Sequence, residues 1–205
     1  MQKIQKISLV LMIICLFTGC GKMKGYNVYE KVYSTYKNME SYSAEVEVTS
    51  YSNNSENKYS LIQQYKAPDK QRCEYVAEVG GSNITVINGN AGKLISGDTM
   101  AEIGLDEAAV KEKNYLMLNT FFEIYYSSEE TAVKTNGNDN SGTIRLSAQT
   151  GSSNPYRNKI ELLVDSQTMK PLKMTVYDDK NKPSLCVEYK SFELNKSIDD
   201  EIFSV

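Results

Sequence analysis

Cys20 closes the run Leu16-Phe17-Thr18-Gly19-Cys20, directly after an apolar stretch headed by Lys3 and Lys6. A thiol in that position is a nucleophile that can be alkylated by a diacylglyceryl group and then become the new N-terminus. Thr18 and Gly19 are small enough for a membrane peptidase to reach the bond, whereas Phe17 is bulkier than the usual Leu. The pattern reads as a bacterial secretory signal ending in a lipobox. The run Ile7–Phe17 has only 11 residues, against the roughly 20 that a bilayer-spanning helix needs. The expected organisation is a signal peptide over 1–19, a lipidated tether over 20–26 and a folded domain over 27–205. Two acyl chains would anchor it stably, at about 0.8 kcal/mol per buried methylene. The domain is then extracytoplasmic, held at the cell or forespore membrane.

Other chemistry is excluded by what is missing. The 205 residues contain no histidine, which removes Ser-His-Asp and Cys-His catalysis and the common histidine-based zinc sites. Of four cysteines, Cys15 lies in the signal and Cys20 is the lipidation site. Cys73 and Cys186 are too few and too far apart for a zinc motif. They are open to a disulfide, to pairing between chains, or to remaining reduced in strands; the chain length favours the last. The acidic clusters Asp178-Asp179 and Asp199-Asp200-Glu201 fall where turn and chain-end signals lie. Paired carboxylates for glycoside hydrolysis must instead face each other across a cleft. No catalytic residue, metal site or cofactor is expected, and the chain does not read as an enzyme. Loss of Lys3 and Lys6 leaves 21 of the 23 basic residues against 26 acidic ones, a net charge of −5. With no basic block, nucleic acid and anionic headgroups are poor partners.

The elements behind these residues alternate in period. Val28, Tyr29, Val32, Tyr33, Tyr36 and Met39 recur at helical spacing over 27–39. Tyr42, Ala44, Val46 and Val48 then alternate with polar residues, as in a half-buried strand. A second strand over 57–66 carries Tyr59, Leu61, Gln63 and Tyr65 on one face, and a third carries Arg72, Glu74 and Val76. Asn88-Gly89 is a hairpin signal between 84–87 and 91–96. From Asp106 to Glu130 the chain is free of Gly and Pro and reads as a helix, apolar on nearly every side between 115 and 126. It is either an ordinary core helix or a plug in the concave face of a curved sheet. Two strands flank the turn Asn136–Gly142, and three more close the chain around Leu162, Met174 and Val187. The fold class is α+β, one antiparallel sheet with helices on one side.

The order of helix, long meander, inserted apolar helix and further strands resembles the half-barrel of the LolA/LolB lipoprotein-sorting superfamily. Three stretches carry the likeness: Tyr65-Lys66-Ala67-Pro68-Asp69-Lys70-Gln71-Arg72, Val164-Asp165-Ser166-Gln167-Thr168-Met169-Lys170-Pro171-Leu172-Lys173, and Phe192–Asn195 with Ile198–Phe203. Within that group the lipid anchor, the tyrosine-rich first helix and Ser41-Tyr42-Ser43-Ala44 look most like clostridial germination lipoproteins of the GerS type. The resemblance implies a half β-barrel with the inserted helix on its concave side. It also implies a non-enzymatic lipoprotein that binds and activates a CwlD-like cortex amidase, so that muramic-δ-lactam forms in spore peptidoglycan. The alternative is a carrier of lipid or lipoprotein, which the tether argues against. In the sorting proteins an arginine corresponding to Arg72 spans the half-barrel mouth, which makes Arg72 the candidate binding residue. Exposed strand edges open a route to a homodimer by strand exchange or edge pairing. A carrier needs an open apolar cavity of a few hundred Å³; side chains of Leu116, Phe121, Phe122 and Tyr125 filling that space would defeat it.

Overall fold

The computed structural model describes residues 24–52, 55–76, 82–97, 101–138 and 141–205. Eleven strands form a single open, curved antiparallel sheet in the order β6-β5-β4-β3-β2-β1-β11-β10-β9-β8-β7. β1 (Ser41–Ser52), β2 (Ser55–Lys66), β3 (Lys70–Val76), β4 (Asn83–Asn88), β5 (Ala91–Ser96) and β6 (Ala101–Gly104) run as a meander to one edge. β7 (Thr131–Asn138), β8 (Ser141–Gln149), β9 (Lys159–Asp165), β10 (Pro171–Tyr177) and β11 (Pro183–Leu194) return from the other edge. The two halves join where β11 pairs with β1, Val187 opposite Val48 and Leu194 opposite Tyr42. Among the described residues three α-helices accompany the sheet: α1 (Lys24–Tyr36), α2 (Glu107–Lys111) and α3 (Leu118–Ser127).

The core lies on one face of the sheet. Tyr42, Ala44, Val46 and Val48 of β1 point into it, and Leu61 and Tyr65, Leu146, Leu162, Met174 and Val187 continue the same face across the register. Val32 and Tyr36 of α1 and Leu118, Phe121, Phe122 and Tyr125 of α3 cover it. Each large apolar side chain taken fully out of water contributes roughly 1.5–3 kcal/mol before conformational entropy is set against it. Period-two alternation therefore decides which face of each strand is inward. A bulge between Glu45 and Val46 changes that phase on β11, because Val46 faces Tyr189 while Ala44 faces Phe192. Tyr189 and Phe192 thus share a face although three residues separate them.

Several elements depart from the sequence expectation. α1 starts at Lys24 and ends at Tyr36, so it takes in part of the segment read as tether and stops a turn early. It stops because Asn195 Oδ1 accepts the Glu40 N–H at 3.0 Å and turns the chain into β1. The single helix expected over 106–130 is two. Asp106 caps α2 by accepting the Ala109 N–H at 2.8 Å, the chain becomes extended at Glu112, and α3 begins only at Leu118. β6 has no counterpart in the sequence reading; its four residues are all exposed, so no alternation marked it. A 3₁₀ turn, Asp200–Phe203, packs on the opposite face, where Phe203 and Ile198 meet Ile84 and Val86 in a second small core.

Candidate functional site

Cys20, expected from the sequence to be a lipidation site, and the signal peptide expected before it lie outside the described residues. Among the described residues no helix is long and apolar enough to cross a membrane. The sheet face beneath α3 is the best-built part of the molecule. Tyr42 is fully buried, and its hydroxyl accepts the Leu118 N–H at 2.9 Å. That bond caps α3, since Met117 at the cap position offers no side-chain hydrogen bond. The same hydroxyl lies 3.5 Å from Gln63 Oε1 and 3.7 Å from Met117 Sδ. Gln63 Nε2 in turn donates to the Leu116 carbonyl at 2.9 Å. Two buried polar side chains on adjacent strands therefore fix the start of α3, and burial pushes the Tyr42 phenol well above its ordinary pKa. Sequence reasoning placed both residues on the inward face but missed their task. The available signal was a glutamine in phase with Leu61 and Tyr65.

Beside this plug an open cleft of about 450 Å³ remains between the α2–α3 connection and the sheet. Tyr51, Tyr59, Ile87, Leu116, Tyr156 and Leu185 line it. At its rim the Arg157 guanidinium sits 4.9 Å from the centre of the Tyr115 ring and pairs with Glu112 at 2.6 Å. Of the residues on which the carrier reading was to be tested, Phe121, Phe122 and Tyr125 are buried in the core, whereas Leu116 lines the cleft.

Arg72 stands on β3 in register with Gln64 and Val86, on the face away from α3. It pairs with Glu74 at 2.8 Å and donates to Gln64 Oε1 at 3.1 Å. It is not brought together with the cleft. Cys73 and Cys186 are both buried and free. Cys73 is in register with inward Gln63 and Cys186 with outward Thr49, so they occupy opposite faces of the sheet. Three strand spacings separate them, roughly 14 Å, beyond disulfide reach. Burial raises the Cys73 thiol to about 12. Asp178 caps its own turn, accepting the N–H groups of Lys180 and Lys182 at 2.9 and 2.7 Å. Asp200 accepts from Lys70 at 2.8 Å and Lys66 at 2.9 Å, which holds its carboxyl down at about 2 and pins the 3₁₀ turn to the sheet. Among the described residues no group of three or more acidic or cysteine side chains is placed to hold a metal ion.

The open, curved antiparallel sheet with few helices defines a class of fold also seen in an uncharacterized conserved protein from Thermus thermophilus. That structure has a TM-score of 0.52 and 11% identity, covering 88% of this chain and 93% of that one. A LolA superfamily protein from Nitrosomonas europaea gives a TM-score of 0.43 at 10% identity, covering 88% and 97%. A chain in the structure of the CwlD amidase from Clostridioides difficile in complex with the GerS lipoprotein is 27% identical, covering 86% of this chain and 99% of that one, with a TM-score of 0.47. No curated protein sequence matches. Residues 1–203 match the family described as sporulation protein YdcC-like, and the chain belongs to that family.

Proposed function

We propose that this is a lipid-anchored, non-enzymatic sporulation protein that binds and activates a cell-wall amidase of the cortex, so that muramic-δ-lactam forms and the spore can germinate. The sporulation context comes from the family. The partner class is the one implied by the GerS-type motifs, and a CwlD amidase is also what the GerS lipoprotein accompanies in the solved complex. The observation that carries a binding role over transport is α3. Leu118, Phe121, Phe122 and Tyr125 occupy the sheet face, with the helix start locked by Tyr42 and Gln63, so side chains stand where cargo would lie. In this reading α3 lies on the concave side, residues 27–205 act as one domain, and Cys20 carries the diacylglyceryl group that holds it outside the cytoplasm.

Among the described residues β6 and β7 stand at the two ends of the sheet, a position that suits strand addition by a partner or by a second copy. Arg72 is the proposed contact residue. Its ion pair with Glu74 is partly exposed and worth no more than about 1 kcal/mol. Arg72→Ala is therefore expected to weaken amidase capture while leaving the melting temperature nearly unchanged. Equal capture by variant and parent would remove Arg72 from the interface. The alternative, a lipid or lipoprotein carrier, rests on the cleft of about 450 Å³. Affinity capture from sporulating cells separates the two. Recovery of an amidase whose activity rises on addition of the protein is the expected result; recovery of lipid alone would overturn it.

A further inference from the structure

Tyr29 and Tyr33 lie one turn apart on α1 with their rings stacked, centroids 5.9 Å apart. Tyr33 meets the ring of Tyr126 edge-on at 5.6 Å, and Tyr126 stacks on Phe122 at 5.7 Å. The result is an aromatic patch running from the surface of α1 and α3 into the core. Tyr126 stays 43% exposed at the end of an otherwise largely buried helix. Burial and the neighbouring hydroxyls of Tyr29, Tyr33 and Tyr125 push its phenol up, so it is uncharged at any physiological pH. Among the described residues, the hydroxyls of Tyr29, Tyr33 and Tyr126 make no hydrogen bond within the protein. Rings with an apolar body and a free polar tip suit the boundary between hydrocarbon and water.

The tether says what meets this patch. Lys24, the first residue of α1, is four residues beyond Cys20. Four extended residues span at most about 14 Å, and the nine residues from Lys24 to Tyr33 cover about 14 Å of helix. A domain held at Cys20 by a lipid keeps the start of α1 within about 14 Å of its anchor and Tyr33 within about 28 Å, so the patch can reach the headgroups. We infer that Tyr29, Tyr33 and Tyr126 form a docking patch that seats the domain on the lipid surface with its rings at headgroup level, and so sets its orientation. The inference rests on the proposed anchoring of Cys20. Charges of both signs surround the patch: Glu30 and Glu129 adjoin it in sequence, and Lys37 Nζ is 5.2 Å from the Tyr33 ring centre. Docking is therefore aromatic rather than ionic, independent of anionic lipid and of salt. The tip of the β1–β2 hairpin, ten residues and about 33 Å along the strand from Ser41, is left in solution.

The chain has no tryptophan, so Tyr126→Trp creates a single fluorescent reporter on the patch, and Tyr51→Trp a control at the hairpin tip. The chain from Cys20 onward, coupled through the Cys20 thiol to a maleimide-headgroup lipid in phosphatidylcholine vesicles, has the required tether however the cell processes it. Buried Cys73 and Cys186 do not compete for the label. The Tyr126→Trp protein is expected to show blue-shifted emission and to be quenched by lipids brominated near the headgroup at least twice as strongly as the Tyr51→Trp protein, at low and high salt alike. Equal quenching of the two would overturn the patch. A blue shift that grows with protein concentration without vesicles would assign it to a second copy instead. A native mass lacking a diacylglyceryl group at Cys20 would overturn the anchor reading itself, and the patch's role with it.

Discussion

Tyr42→Phe tests whether the start of α3 is held by the sheet. The substitution keeps the ring, and with it the stacking on Tyr65 at 5.7 Å, and removes one oxygen. That oxygen is the acceptor for the Leu118 N–H at 2.9 Å, and Leu118 is completely buried. Water cannot replace the lost partner there. An unpaired buried donor costs about 1–3 kcal/mol, against near zero for the ring, which is unchanged. With about 2 kcal/mol lost, a domain of this size should melt about 4–8 °C lower. Urea unfolding followed by circular dichroism measures the loss, and amide exchange should rise first within α3. Gln63→Leu frees the Leu116 carbonyl on the same connection, so the double variant should show a coupling energy of at least about 0.5 kcal/mol. A loss below about 0.5 kcal/mol for Tyr42→Phe, or strict additivity with Gln63→Leu, would refute the idea that this pair caps the helix.

Asp200 has its folded pKa depressed to about 2 by Lys70 and Lys66, so the stability it contributes is present above its unfolded pKa and is lost as pH falls from about 4 through about 2. Amide exchange in the C-terminal segment should accelerate in that window, and Asp200→Asn should abolish the dependence. Gly92→Ala would place a Cβ 3.0 Å from Val110 Cγ2 and 3.2 Å from the Val86 carbonyl oxygen, so α2 must shift; the loss should be about 1–3 kcal/mol in chemical denaturation, and no loss would mean α2 is free to move. In the folded protein a thiol reagent at neutral pH should leave Cys73 and Cys186 unlabelled, both reacting once denaturant is added; labelling of Cys73 without denaturant would contradict its burial.

The strands with the strictest alternation were the most legible. β1 buries Tyr42, Ala44, Val46 and Val48 as its pattern required, while β5 occupies the expected 91–96 because Asn88-Gly89 marked the hairpin before it. Each inward residue of β1 repeats one instruction, so a single period carries the assignment. Where the instruction is not local, legibility fails. Nothing near Glu112 announces a helix break, because α3 is started by Tyr42 from a strand some seventy residues earlier. Nor does the alternation of Leu185, Val187 and Tyr189 reveal that Phe192 joins the same face through a bulge. Arg72 and Glu74 could both be placed on one face of β3, where they pair, but the bond from Arg72 to Gln64 depends on register with β2.

The amino-acid sequence alone determined the family, the lack of histidine and the inward face of most strands. These are properties of residue type and short-range spacing, and they need no knowledge of distant partners. Only the tertiary structure decided that α3 packs into the core on the sheet, that Cys73 and Cys186 face opposite ways, and that Tyr29, Tyr33 and Tyr126 gather into one patch. Each of those depends on groups dozens of residues apart, whose free energy of contact appears only when an eleven-stranded register brings them within a few ångströms.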